Sequence, residues 1–305
     1  MTRARAIVMR RTGSAEVLQL EDVTLSPLAR GDVRLRMLAA AVNHSDLEVR
    51  AGNWRIRRAS PFPYVPGLEI VGEVVAIGAD VRDVVVGQRA WSTMQGLGGV
   101  RAERDGGYAE QVTVSASVLA PLPAELDPVA FAAIGLAGVT AFEAMRRLGE
   151  LRGKTLIVTG ATGGVGAVAV EVGRSLGAEV IALDRNAASP PAASVDAVLD
   201  GVGGARFASL VAALRPHGRY CMYGAAASAD VALDLWSLLD GRVLTGYSSE
   251  ELDGDALRAA TLALVAMRLP PPPTTVLPLA DAARAHAMLE SREVRGRIVL
   301  VPDAQ

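Results

Sequence analysis

Residues 155–176, TLIVTGATGGVGAVAVEVGRSL, lead from a short β-branched apolar run through a glycine-rich turn into a helical pattern. Thr155 to Thr159 reads as a buried strand and Gly166 to Leu176 as a helix. Between them, TGATGGVG at 159–166 places glycines at 160, 163, 164 and 166. Residues without a Cβ let the backbone turn tightly and approach a ligand closely. The helix that follows aims its free N–H groups and the positive end of its dipole at the turn, an anion site suited to a pyrophosphate. A glycine pattern alone is weak, and the flanking strand and helix supply the context it needs. Gly160, Thr162, Gly163, Gly164, Val165 and Gly166 are the predicted cofactor contacts here. The alternative is a glycine-rich turn in an α/β protein of another kind.

A dinucleotide site also calls for an acidic residue about 20 positions on, at the end of the next strand, to hold a ribose diol. Asp184 ends EVIALD at 179–184. Its carboxylate favours a ribose 2′-OH over a 2′-phosphate, and so NADH over NADPH. Arg185 beside it offers a guanidinium to the adenine or to that phosphate. Further strands are read at Val195 to Asp200 and Arg219 to Gly224, with a helix at Leu210 to Leu214; this order signals parallel βαβ units. Only ten residues, 185–194, separate Asp184 from Val195, and Pro190 and Pro191 are among them. Ten residues reach about 33–36 Å when extended, enough to cross two strand spacings of about 5 Å. They leave no room for another strand. The α/β reading is therefore a doubly wound parallel sheet trimmed by one strand, with 179–184 at an exposed edge.

Around this centre the texture differs. Before about Pro121 the chain is β-rich: Val33 to Met37 alternates, and EIVGEVVAI at 69–77 is apolar with Gly72 where a bulge or a close backbone approach would sit. Residues 95–107, QGLGGVRAERDGG, read as a long polar, glycine-rich loop, and such loops are either floppy or functional, here a place where pocket specificity would reside. After the PPPP connector at 270–273 come one helix, Asp281 to Glu290, and one strand, Arg297 to Val301. One helix and one strand make no domain, so the tail is expected to return to the first. The boundaries read from this are 1–121 with 268–305, and 122–267.

The 305 residues carry 31 basic and 33 acidic side chains, a net charge of −2 that argues against nucleic acid as a partner. Lys154 is the only lysine, so any catalytic amine falls to it. One cysteine, Cys221, excludes an intrachain disulfide and a multi-cysteine zinc lobe, and its apolar strand marks it as a buried thiol. No uninterrupted apolar run of about 20 residues and no secretory h-region is read, so the expectation is a soluble, cytoplasmic chain with no membrane partner.

Asn43-His44-Ser45-Asp46 is followed by Arg50, Gly52 and Trp54. Pro-Gly-Leu-Glu stands at 66–69, Gly-Tyr-Ala-Glu at 107–110, Gly-Val-Thr-Ala at 138–141, Val-Leu-Asp-Gly-Val-Gly-Gly at 198–204 and Gly-Arg-Ile-Val-Leu at 296–300. In this order, nearly end to end, they resemble the medium-chain dehydrogenases/reductases, in their zinc-independent quinone-oxidoreductase branch, the zeta-crystallin-like proteins. The resemblance implies a GroES-like β-barrel domain interrupted by a Rossmann domain. It also implies a homodimer, with 242–247, RVLTGY, as the last sheet strand.

Zinc-dependent members of that superfamily hold a catalytic zinc at positions that correspond here to Asn43, Leu68 and Leu136. Two leucines cannot ligate, so no metal is expected. Without a Lewis acid a simple alcohol–carbonyl interconversion loses its main charge stabiliser. A conjugated acceptor delocalises the charge itself and asks only for a few hydrogen-bond donors. The implied activity is hydride transfer from NAD(P)H to a quinone, enone or enoyl thioester. The alternatives are a non-redox cyclase or isomerase, and a binding protein without turnover.

On this resemblance Asn43 either donates to the acceptor oxygen or satisfies local backbone, and Ser45 protonates or orients substrate. Trp54 stands where the family pattern has tyrosine and keeps a flat ring without a phenolic proton. His44 contacts the pyrophosphate, relays a proton, or is an exposed loop residue. Thr140 is expected beside the nicotinamide, and Gly201, Tyr223 and Gly224 join the cofactor contacts. Asp46 orients its neighbours or pairs with Arg50. Tyr64 and Tyr108 either line the pocket or pack internally.

Overall fold

The computed structural model describes residues 3–54, 62–97, 103–184 and 186–303. Its elements run β1 (Arg3–Val8), β2 (Gln19–Thr24), β3 (Asp32–Val42), α1 (His44–Ala51), β4 (Glu69–Ile77), β5 (Arg89–Thr93), β6 (Gln111–Ser115), β7 (Ala120–Pro121) and α2 (Pro128–Arg146). Then come β8 (Thr155–Thr159), α3 (Gly164–Ser175), β9 (Glu179–Leu183), β10 (Val195–Asp200), α4 (Phe207–Ala213), β11 (Leu214–Met222) and β12 (Val243–Gly246). Finally α5 (Gly254–Met267), β13 (Thr274–Pro278), α6 (Ala282–Glu290) and β14 (Arg297–Val301) close the chain. Two compact units result: Met1–Leu136 with Glu250–Thr261 and Pro271–Gln305, and Ala137–Ser249 with Leu262–Pro270.

In the first unit β1 and β2 form an antiparallel pair, and seven strands form a second sheet in the order β13-β14-β3-β4-β5-β7, with β6 also on β3. Alternation along β3 buries Val33, Leu35 and Met37, which pack with Val74, Ala90 and Val114 in the core. The expected irregularity at Gly72 is present as a register shift between Met37 and Ala39, opposite Gly72 and Val71. The tail does return: β14 pairs antiparallel with β3 through Ile298–Val42, Val299–Ala41 and Leu300–Ala40. The sequence reading overlooked β13, which starts directly after the proline run and pairs parallel with β14.

The second unit holds five parallel strands in the order β12-β11-β10-β8-β9. β10 pairs directly with β8, and among the described residues no strand lies between β9 and β10 along the chain. The sheet is trimmed as the length of the link 185–194 requires, and β9 is an edge. On the α4 face Ile157 is fully buried in the core with Phe207, Leu210 and Val211, whereas Ile181 on β9 stays 40% exposed. On the opposite face α3 approaches Leu156 and Val180 through Gly173. Helices thus cover both faces, as a doubly wound sheet needs.

Helix α2 is long and apolar enough, by composition alone, to cross a membrane, but 67% of its apolar window is buried within the protein. That is how a core helix satisfies its apolarity. It kinks at Gly135 (φ −9, ψ −105), where a Cβ would lie 2.2 Å from a carboxylate oxygen of Glu69. The Leu136 N–H donates to that same oxygen (3.0 Å). A side chain inserted into the helical ladder is a recognised cause of a kink.

Candidate active site

Two groups of residues emerge, one in each unit. In the second unit, Gly160 adopts a left-handed conformation (φ 59) at the end of β8, and the Gly163 N–H donates to its carbonyl (2.8 Å). A Cβ on Gly166 would lie 2.1 Å from that carbonyl oxygen, so the turn closes only with glycine there. Thr162 and Gly163 are exposed at its rim, and Gly164 and Val165 open α3 half-buried. The first N–H groups of a helix have no intrahelical partner. The open turn is therefore shaped for a diphosphate.

Beside it stands a group whose role the sequence reading missed. Asp200, fully buried at the end of β10, accepts the Thr159 hydroxyl (2.5 Å), the N–H groups of Val202 (2.8 Å) and Gly203 (3.1 Å), and the Tyr220 hydroxyl. The Gly201 N–H donates to Thr159 Oγ1 (3.1 Å), so loop 201–204 is fixed against the end of β8. The loop brings Val202 over Gly160, and Gly201 packs under the Tyr223 ring with Gly224 close by. Gly160, Gly201, Tyr223 and Gly224 are thus brought together. The available signal was an acid ending an apolar strand ahead of three glycines in four residues. Burial pushes the Tyr223 phenol up.

Asp184 is exposed at the end of β9, where its Oδ1 caps a turn by accepting from Asn186 N (2.9 Å) and Ala187 N (3.0 Å). Arg185, the other candidate for the ribose side, lies outside the described residues. Thr140, half-buried on α2, bonds the Ser249 hydroxyl (2.9 Å). Burial raises the Cys221 thiol to about 11, so it is no ready nucleophile.

In the first unit, α1 begins with a reciprocal cap: the Asn43 N–H donates to Asp46 Oδ2 (2.8 Å), and the Asp46 N–H donates to the Asn43 carbonyl (3.0 Å). Asp46 Oδ1 accepts from Leu68 N (2.9 Å). Burial lifts Asp46 to about 7, with the charge of nearby Glu69 acting in the same direction. Asp46 does orient its neighbours, but it does not pair with Arg50. Its oxygens are taken by backbone, and Arg50 instead reaches Glu290 (3.1 Å) and the Gly13 carbonyl (3.1 Å). Tyr64 and Tyr108 pack internally, at 1% and 0% exposure. Tyr108 lies 3.4 Å from Nε2 of His286, whose imidazole burial pushes down to about 3.

Asn43 is 5% exposed. Its Nδ2 donates to Glu69 Oε1 (2.9 Å) and the Ala41 carbonyl (3.4 Å), and its Oδ1 accepts from Arg297 Nη2 (2.8 Å). With both amide hydrogens committed, the expectation that it donates to an acceptor oxygen gives way to its alternative, a buried amide satisfied inside the fold. Glu69, fully buried, also receives Trp91 Nε1 (3.2 Å) and lies 3.5 Å from Arg297. Burial pushes the Glu69 carboxyl up and the Arg297 guanidinium down, while each opposes the other's shift. Ser45 is half-buried in the first turn of α1, and Trp54 is partly buried against the barrel core. His44 is 71% exposed and meets Glu48 one turn on (3.4 Å).

Two families match the chain: the alcohol dehydrogenase GroES-like domain over residues 29–124 and the zinc-binding dehydrogenase domain over 176–300. A quinone oxidoreductase of Lama guanicoe is 33% identical over 173 residues, 56% of this chain and 49% of that one. An alcohol dehydrogenase of Geobacillus stearothermophilus is 32% identical over 190 residues, 55% of each chain. The chain thus spans about half the length of these curated relatives. A mycobacterial protein solved in complex with NADPH superposes with a TM-score of 0.78 at 28% identity, over 98% of this chain and 100% of that one. The GroES-like match precedes the dehydrogenase match along the chain, over a barrel and then a parallel sheet, and the chain belongs to the medium-chain dehydrogenase/reductase superfamily, in its quinone-oxidoreductase-like branch.

Proposed function

We propose that the protein is a zinc-independent NAD(P)H-dependent oxidoreductase acting on a conjugated acceptor: a quinone, an enone or an enoyl thioester. The observation that carries this reading is an intact diphosphate turn, Gly160–Gly166, in a chain whose corresponding zinc positions hold Leu68 and Leu136. Aliphatic side chains supply no ligand, and among the described residues no three His, Cys, Asp or Glu gather as a metal site.

The first N–H groups of α3 would hold the pyrophosphate, and Asp184 the adenosine ribose, with NADH preferred on account of its negative charge. NAD(P)H, when bound, supplies the hydride. Because the hydrogens of Asn43 are used internally, charge developing on the acceptor oxygen falls to the Ser45 hydroxyl. The Trp54 ring walls the acceptor. Support comes from the quinone oxidoreductase and NADPH-bound neighbours. Titration with NADH and NADPH, then addition of a simple quinone and an enone, tests the reading. Saturable binding followed by cofactor oxidation is expected, and binding of neither cofactor would remove it.

A second copy of the chain is the proposed partner. β12 is the other sheet edge, and Leu235, Trp236 and Leu239 stand 70%, 78% and 73% exposed just before it. Light scattering is expected to find a dimer that Trp236→Glu converts to monomer.

A further inference from the structure

The trimmed edge raises a physical question. In a full doubly wound sheet a neighbouring strand and helix buttress the acidic residue that grips the ribose. Here Asp184 follows an edge strand and precedes a ten-residue link, so its carboxylate needs another support.

Arg206 supplies one. It closes the short helical turn Gly204–Arg206 and leads directly into α4. Its Nη1 donates to the Asp184 carbonyl (2.9 Å) and its Nη2 to the Ala187 carbonyl. The two contacts bracket the turn that Asp184 Oδ1 caps from inside. Farther along the link, the Ser189 and Ser209 hydroxyls meet (3.2 Å), a second tie to α4. The anchor is itself held: Gly203 N–H bonds buried Asp200, and Gly204 N–H bonds the Ser228 carbonyl (3.0 Å). The short backbone 203–206 thus joins the Gly203 bond to the buried Asp200 carboxylate with the Arg206 bond to the backbone of Asp184. Its planar fork suits two carbonyls at once. Among the described residues Asp184 Oδ2 takes no hydrogen bond, so one oxygen locks the turn and the other is left for a diol.

We infer that Arg206 is the positioning residue that replaces the missing strand, holding Asp184 in the orientation that admits an unphosphorylated adenosine ribose and turns away a 2′-phosphate. The inference rests on the proposed cofactor site. It assigns Arg206, a basic residue beside that ribose, to the selection of NADH, because its guanidinium is directed at backbone carbonyls.

Calorimetric titration of NADH and NADPH into the wild type, Arg206→Ala, Arg206→Lys, Asp184→Asn and the Arg206→Ala/Asp184→Asn double variant tests it. The wild type should prefer NADH. Arg206→Ala should weaken NADH by about tenfold, the worth of a hydrogen bond made by a charged group, and should shrink the NADH-to-NADPH ratio. Arg206→Lys, which keeps the charge and serves one carbonyl, should recover part of that loss. The double variant should bind NADH no more weakly than the weaker single one. A purely structural arginine would weaken both cofactors alike, and that result overturns the inference, as does unchanged NADH binding in Arg206→Ala. Preference of the wild type for NADPH also overturns it while leaving the oxidoreductase reading in place. Binding of neither cofactor by the wild type overturns both.

Discussion

The two units treat polarity in opposite ways. Around Gly160 the second unit removes side chains and leaves backbone N–H groups open at the surface. Around Glu69 the first unit gathers Asn43, Arg297, Trp91 and the Leu136 N–H about one fully buried carboxylate. The first device binds an external anion; the second satisfies an internal one. The difference teaches that a site made of absent side chains tolerates almost nothing added, whereas one made of paired charges tolerates almost nothing removed.

Removing a charge should have the largest effect. Arg297→Ala leaves Glu69 buried and unpaired, and breaking such a pair costs about 3–5 kcal/mol. Denaturant titration is expected to show that loss, and a change under about 1 kcal/mol would place the pair among weakly contributing ones. Adding one methyl group sharpens the other side. Gly166→Ala sets a Cβ against the Gly160 carbonyl; overpacking of this kind costs about 1–3 kcal/mol. Cofactor affinity should fall more than stability does, because the turn itself is pushed open. Retention of full affinity would contradict the account of the turn.

A smaller effect comes from pH. Asp46 rises from 3.8 when unfolded to about 7 in the fold. The folded protein therefore holds this proton more tightly across that window. The contribution to stability is fully present below about 4 and declines as pH rises through about 7. The titratable and charged groups around it, Glu69, Tyr108 and Arg297, are all in the first unit. Thermal melts between pH 5 and pH 8 should show this slope, and Asp46→Asn, whatever its own cost, should flatten it. An unchanged slope would assign the pH dependence to other groups.

This contrast also sets what was legible in the sequence. TGATGGVG could be read because strand, turn and helix adjoin one another along the chain. The trimmed sheet could be read because ten residues have a fixed maximum reach. The buried centre could not. Arg297 and Glu69 are 228 positions apart, and Arg50 meets Glu290 across 240. Both residues of the first pair sat in quoted motifs, PGLE and GRIVL, with nothing local to mark them as partners. Asp46 and Arg50, at helical spacing, suggested a pair to each other, but burial of the carboxylate against backbone N–H groups won over the local ion pair. β13 was hidden because prolines at 270–273 read as connector, and its partner β14 lies past α6.

The central claim is hydride transfer without zinc, and it is tested most directly by following NADH oxidation with an enone before and after exhaustive chelation. The account predicts turnover that chelation leaves unchanged and added zinc does not raise. Turnover lost on chelation and restored by zinc would contradict it.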